Sequence, residues 1–293
     1  MNEPDVMKIL IPVDGSAVGD SILVALLPLM RARKIETTLL QAADSQAGGE
    51  EAQRRLEGHR KSLEGHGAAT RVQIVRGRPA EEILRFSQSG AFDLIAMGTH
   101  GRMGIQRVLL GSVAEEVVRS SSIPVLLCRS NSRIGNWERV VVALDGTPGS
   151  EEILGDAARL ARSLGATIHL LRVGLSLLTA DGYRGLGYKY PATDTRTYLS
   201  GIADRLKAEG ISAIPETREG MPGTEIALLA GELDAGLICM TTEGRPERVP
   251  GLDRSVAAEV MRSAPCPVYV RHISGAPSAP RSETGKKTAG AKK

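Results

Sequence analysis

Short apolar runs rich in β-branched residues alternate along this chain with longer amphipathic stretches. In the first half the strand-like runs are Met7–Val13, Glu36–Ala42, Ala69–Val75, Phe92–Gly98 and Pro124–Cys128. In the second half they are Glu138–Leu144, Ala166–Val173, Ser212–Thr217, Gly236–Met240 and Pro267–Arg271. Helical patterns fill the gaps, and strands alternating with helices predict βαβ units and a parallel sheet. Runs such as Leu94-Ile-Ala-Met97 show no polar alternation, as expected of strands covered on both faces. The helical stretch Ala17–Arg33 contains Pro28, whose ring removes an N–H and predicts a kink or a split.

The pattern occurs twice. Lys8-Ile-Leu-Ile-Pro12-Val13-Asp14-Gly-Ser16 returns as Arg139-Val-Val-Val-Ala-Leu-Asp145-Gly-Thr147, at a spacing of 131. Gly77-Arg-Pro79 returns as Gly220-Met-Pro222 at a spacing of 143, which also relates Ser112-Val to Ser255-Val and Pro124-Val to Pro267-Val. The second copy is therefore longer by the difference between the two spacings. Gly174–Ala192, with no helical or strand period, is where the extra length fits. Tyr183, Tyr188, Tyr190 and Tyr198 lie there or just after it. That insertion reads as a long loop, with a lid or partner surface as alternatives. The expected fold is α/β: two tandem doubly wound domains with five-stranded parallel sheets, at residues 1–130 and 138–273. The polar stretch Ser130–Trp137 links them, and residues 274–293, rich in Ser, Ala, Pro, Gly and Lys, read as a disordered basic tail.

Composition narrows the function classes. The chain has 293 residues, 42% hydrophobic and 24% charged, an ordinary globular balance. Its net charge of +3 hides an uneven distribution. The tail holds Arg281, Lys286, Lys287, Lys292 and Lys293 against Glu283, which leaves residues 1–273 at −1. Charge and the 3% aromatic content both argue against a nucleic-acid surface. Cys128, Cys239 and Cys266 form no CxxC pair, so a disulfide framework or structural zinc is not expected. The start, Met-Asn-Glu-Pro-Asp, is acidic where a signal peptide is basic. Near it the longest apolar run, Ile22–Met30, falls short of the ~20 residues of a membrane span. A cytoplasmic protein is expected.

Two features carry candidate chemistry. In open α/β sheets ligands sit beyond the carboxyl ends of the strands, where strand order reverses. Asp14 directly follows strand one. Strand four is followed by Gly98-Thr-His100-Gly101-Arg102-Met-Gly104-Ile-Gln-Arg107-Val-Leu-Leu-Gly111-Ser112-Val113. Glycines let backbone amides approach a phosphate, and a helix N-terminus offers unpaired N–H groups and a positive dipole end. Ser112 adds a hydroxyl; Arg102 and Arg107 add charge. The same residues also admit a structural reading: Ser112 with Glu115 spells a capping box, and Gly98 and Gly111 suit turns. The loop is neither a Walker loop nor a GxGxxG fingerprint.

Gly98-x2-Gly101-x9-Gly111-Ser112 resembles the G-x2-G-x9-G-(S/T) motif of nucleotide-binding universal stress proteins. Gly-Thr-His-Gly-Arg102, Leu-Leu-Gly-Ser-Val-Ala-Glu115, Pro124-Val-Leu-Leu and Pro12-Val-Asp14-Gly-Ser are similar to that family as well. The resemblance covers about residues 7–273. It implies ATP as ligand, with Mg2+ carried mainly by the phosphates. Asp14 would sit by ribose and adenine, with Pro12 and Val13 on the same wall and the Ala42 backbone facing adenine. Met97, Gly98, His100 and Gly101 would line the ribose and phosphate path, with Arg102 beside it, and Gly111, Ser112 and Val113 would hold the terminal phosphates. The resemblance further implies pairing through strand five, which the two copies can satisfy within one chain as a pseudo-twofold pair. A homodimer of the chain stays open beside it.

Copy two departs from the motif. Gly98 becomes Thr241, Gly104 becomes Glu247 and Gly111 becomes Arg254, while Pro246 and Pro250 enter the loop. Prolines remove donors and Glu247 repels phosphate, so copy two is expected to bind ATP poorly or not at all. Arg245, Arg248 and Arg254 offer the alternative of a different anion site. His59, His66, His169 and His272 are read as surface or packing residues, and the cysteines as core. The leading functional expectation is a nucleotide-dependent regulator in stress response, with ATP in copy one. Slow ATP hydrolysis or adenylate transfer is the alternative, though Asp14-Gly15-Ser16 is not the Ser-Gly-Gly-x-Asp-Ser or His-x-Gly-His signature of such enzymes. A nucleotide-independent interaction scaffold is the third.

Overall fold

A computed structural model describes residues 6–16, 20–43, 49–99, 110–174, 194–243 and 255–273. The first half runs β1 (Met7–Pro12), α1 (Ser21–Ala25), α2 (Leu27–Ala32), β2 (Ile35–Ala43), α3 (Gly49–Gly65), β3 (Ala69–Arg76), α4 (Pro79–Ser89), β4 (Leu94–Gly98), α5 (Ser112–Ser120) and β5 (Val125–Cys128). The second runs β6 (Arg139–Ala143), α6 (Pro148–Glu151), α7 (Ile153–Leu164), β7 (Thr167–Gly174), α8 (Thr195–Ala208), β8 (Ala213–Glu219), α9 (Pro222–Glu232), β9 (Leu237–Thr242), α10 (Val256–Ser263) and β10 (Val268–His272). All ten expected strands are present, each within two residues of its expected ends. The helical stretch around Pro28 does split: α1 stops before Leu26, and Pro28 falls in the first turn of α2, where its missing N–H costs nothing. β4 starts at Leu94 because Ala91, at φ +49°, turns the chain, and Asp93 then bridges to β1. Its carboxylate accepts from Lys8 N at 2.8 Å and its N–H donates to Lys8 O at 2.9 Å.

The two sheets are continuous. Strand order is β3-β2-β1-β4-β5-β10-β9-β6-β7-β8. Every pairing within a half is parallel, and the one between halves is antiparallel: Val268 faces Leu127, Tyr269 faces Leu126 and Val270 faces Val125. Helices cover both faces, so β5 and β10 carry apolar side chains on both sides. One core joins Ile9, Ile11 and Leu126 to Tyr269, Val140 and Val142. The other joins Leu10, Ile95 and Leu127 to Val268, Val270 and Ile238. Each core crosses the join between the halves. The three cysteines are buried, as expected, and burial pushes their thiols up.

The repeat spacings are visible in the backbone. Ala68 N donates to Leu63 O after α3, as Ile211 N does to Leu206 O after α8, a spacing of 143. Val13 N donates to Leu40 O, and Leu144 N to Leu171 O, a spacing of 131. The extra length therefore enters between β7 and α8; residues 175–193 lie outside the described ones, as does the tail from 274. The link between the halves is less detached than its polarity suggests. Arg133 N donates to Pro265 O at 2.7 Å, and Trp137 is only 2% exposed.

A buried carboxylate braces β10. Asp156 on α7 accepts from Arg271 Nε at 2.5 Å and from Arg159, and its side chain is 1% exposed against 27% for Arg271. Asp156→Ala would leave both cations without it. Because Arg271 reaches water, the expected loss is about 2 kcal/mol, below the roughly 3–5 kcal/mol of a fully buried pair. It should appear as a lower urea midpoint with an unchanged slope.

Candidate functional site

Strand order reverses between β1 and β4, with β2 on one side and β5 on the other. A crevice therefore opens at the carboxyl ends of β1 and β4. The register pairs Leu10 with Ile95; continued upward, it sets Met97 and Gly98 beside Pro12 and Val13. Pro12 pairs with Leu40, so Ala42 on β2 lies level with Asp14. Asp14 forms an Asx turn: its Oδ1 accepts from Ser16 N at 2.9 Å and from Ser16 Oγ at 2.7 Å. Gly15 takes φ +78°, a left-handed conformation that glycine adopts without strain.

The strand-four loop is pinned at its base. Thr99 N donates to Cys128 O at 3.0 Å, and Gly111 N donates to Thr99 O at 2.8 Å. Gly111 thus returns to the end of β4, and α5 starts there with its first N–H groups at the crevice. His100, Gly101, Arg102, Gly104 and Arg107 lie outside the described residues. Of the expected site residues, Pro12, Val13, Asp14, Ala42, Met97, Gly98, Gly111, Ser112 and Val113 gather at one end of the sheet.

The structure corrects the capping-box reading. Gly111 is the N-cap of α5, and Ser112 is its first helical residue, exposed. Among the described residues the Ser112 hydroxyl makes no hydrogen bond. The matching Ser255 behaves differently. It is the N-cap of α10, and its Oγ accepts from Ala258 N at 3.1 Å.

Sequence motifs missed Arg55. This α3 side chain folds over the Asp14 turn, so a side-chain carbon on Gly15 would collide with its guanidinium. Its Nη2 donates to Gln41 Oε1 at 3.4 Å, and Gln41 is buried. The only hint in the chain is position. The longer repeat spacing carries Arg55 onto Tyr198, and the shorter one carries Gln41 onto Arg172.

The second crevice keeps the turn and changes its surroundings. Asp145 Oδ1 accepts from Thr147 N at 2.8 Å and from Thr147 Oγ1 at 2.6 Å, and Gly146 takes φ +87°. Here the guanidinium comes from β7. Arg172 is 4% exposed, and its Cζ is 3.0 Å from where a Gly146 side chain would begin. It stands 5.4 Å from the centre of the Tyr198 ring, a cation–π contact. Thr241 replaces Gly98 inside β9; residues 244–254, with the expected prolines, Glu247 and the three arginines, lie outside the described ones. Burial and then the Glu151 carboxylate push the Tyr198 phenol up to about 12.

Fold and site define a tandem, doubly wound α/β protein built from one duplicated unit. The universal stress protein family model matches residues 6–129 and again 136–272, and the chain belongs to that family. Two universal stress proteins of Methanocaldococcus jannaschii are similar to part of it. One is 41% identical over 80 residues, 27% of this chain and 47% of that protein. The other is 42% identical over 84 residues, 28% of this chain and 52% of that protein. The chain thus spans about half the length of these relatives. A universal stress protein from Archaeoglobus fulgidus shares the fold across both halves, with a TM-score of 0.73 at 24% identity, covering 90% of this chain and 96% of that one. Among the described residues no helix is long and apolar enough to cross a membrane.

The contrast between the copies has two measurable consequences. Ser255→Ala should cost about 1 kcal/mol through its lost cap, whereas Ser112→Ala should stay within about 0.5 kcal/mol, both read from thermal melts. In alkaline titration the Tyr198 phenolate, isolated by subtracting a Tyr198→Phe variant, should appear at about 12. A raised phenol stays protonated in the fold while the unfolded chain ionises near 10, so its stabilisation is complete below about pH 10 and is lost as pH climbs towards 12.

Proposed function

We propose that the chain is a cytoplasmic, ATP-binding regulator of stress physiology, with ATP held in domain 1. One arrangement carries this reading. The Gly111-to-Thr99 hydrogen bond brings the N-terminus of α5 to the end of β4, and there the Ser112 hydroxyl makes no bond within the described residues. An N-terminus with open N–H groups, flanked by glycine and a hydroxyl, suits an anion. On the other side of the crevice, Pro12, Val13 and Ala42 offer the apolar and backbone surface that a base needs. Mg2+ would be carried mainly by the phosphates. ATP bound here supplies a ligand whose contacts span β1, β2 and β4. It regulates only in so far as partners distinguish the bound and free states.

Domain 2 is proposed to leave ATP unbound. Its serine is committed to its own helix and a threonine replaces the first glycine. Calorimetry should find one ATP per chain, and Gly111→Glu, which sets a carboxylate against the phosphates, should weaken it by about a hundredfold or more. Absence of binding to the wild-type chain, or two equal sites, would overturn the reading.

A further inference from the structure

Each crevice holds one guanidinium against the glycine of its first turn, and the two come from different elements. In domain 2 it is Arg172 from β7; in domain 1 it is Arg55 from α3. The paired spacings show that this is an exchange. Leu63 and Leu206 close α3 and α8 alike, so Arg55 occupies the place of Tyr198; Leu40 and Leu171 accept the same bond, so Gln41 occupies the place of Arg172. The residues next in line, Leu56 and Leu199, are both fully buried, which fixes the helical phase.

The exchange changes what covers the guanidinium. Arg172 lies on the Tyr198 ring. Domain 1 has no such ring. It contains no tyrosine or tryptophan, and its two phenylalanines, Phe86 and Phe92, pack on each other, 6.1 Å between centres, against the core on the α4 and α5 face. Arg55 is also poorly bonded. Its long contact to Gln41 is its one hydrogen bond among the described residues, and its Nε is buried without a partner there. A planar cation, partly desolvated and beside the base side of the crevice, is suited to a flat π-surface.

We propose that Arg55 is the stacking platform for the base of the nucleotide in domain 1, contacting it as Arg172 contacts Tyr198 in domain 2. The inference rests on the ATP reading of that site and deepens it. It names the ligand feature that Arg55 recognises, a flat heteroaromatic ring, and separates it from the phosphate recognition assigned to Gly111 and Ser112. It also assigns domain 2 a crevice already filled by its own cation–ring pair.

The test uses the whole two-domain chain and three probes: ATP, adenosine and inorganic tripolyphosphate. Arg55→Ala should weaken ATP and adenosine by about fivefold to thirtyfold and leave tripolyphosphate unchanged. Arg55→Lys, which keeps the charge and loses the plane, should remain near Arg55→Ala for adenosine. Thermal melts check that both variants fold. Adenosine should titrate as one per chain. The proposal is overturned if Arg55→Ala weakens tripolyphosphate as much as ATP while sparing adenosine, if ATP and adenosine are unaffected, or if two adenosines bind. Wild-type binding of adenosine without ATP would overturn the ATP reading and leave the stacking in place; binding of neither would end both.

Discussion

The antiparallel join of β5 to β10 is the constraint on which the rest of the molecule depends. Each half is a parallel sheet ending in a short strand whose residues at the join are apolar on both faces. Left alone, such a strand would expose a row of unpaired backbone groups beside hydrophobic surface. Pairing Val125–Leu127 with Val268–Val270 removes both edges at once and lets each core run across the boundary. Direction follows from the same contact. Because the strands within a half are parallel and the join is antiparallel, the carboxyl ends of β1 and β4 point opposite to those of β6 and β9. The two crevices therefore lie at opposite edges of one sheet, and neither blocks the other.

Most of this was legible in the chain because burial on both faces leaves a strong mark. The run Leu94–Met97 has no polar alternation, since both its faces meet helices. Strand ends were less legible, because they depend on partners distant in sequence. The Asp93 clasp on Lys8 and the turn at Ala91 decide where β4 begins, and no local pattern announces either. The Ser112–Glu115 spacing failed for a related reason. A capping box assumes that the serine precedes the helix, whereas the bond from Gly111 to Thr99 draws the chain in one residue earlier. Trp137 shows the same limit: in a polar stretch it looks like linker, yet it is buried.

The candidate site was legible only in part. Motif reasoning follows residues close in sequence, and so it found the turn after β1 and the glycines after β4. It could not find Arg55, which reaches the turn from the middle of a helix beyond the next strand. Periodicity describes α3 as an amphipathic helix and gives no reason to single out one arginine on it. Only the tertiary packing of α3 over the Asp14 turn does so.

The two crevices share some features that cannot report on a ligand and differ in others that can. The Asp-Gly-Ser turn of domain 1 and the Asp-Gly-Thr turn of domain 2 make the same pair of internal hydrogen bonds around a left-handed glycine. That turn is explained by the backbone path out of the first strand, so its presence in both halves does not discriminate between them. What differs is how polar groups around the turn are spent. In domain 2 the serine at the helix start bonds its own helix, and the arginine stacks on a tyrosine of its own domain. In domain 1 the equivalent serine lacks that bond, and the arginine has one long contact among the described residues. A partly buried guanidinium with one long hydrogen bond among the described residues costs the fold more than a fully engaged one, whereas the exposed Ser112 hydroxyl is open to water and costs little. Among the described residues this difference in bonding, more than the glycine spacing, is the reason to look for a ligand in domain 1 and not in domain 2.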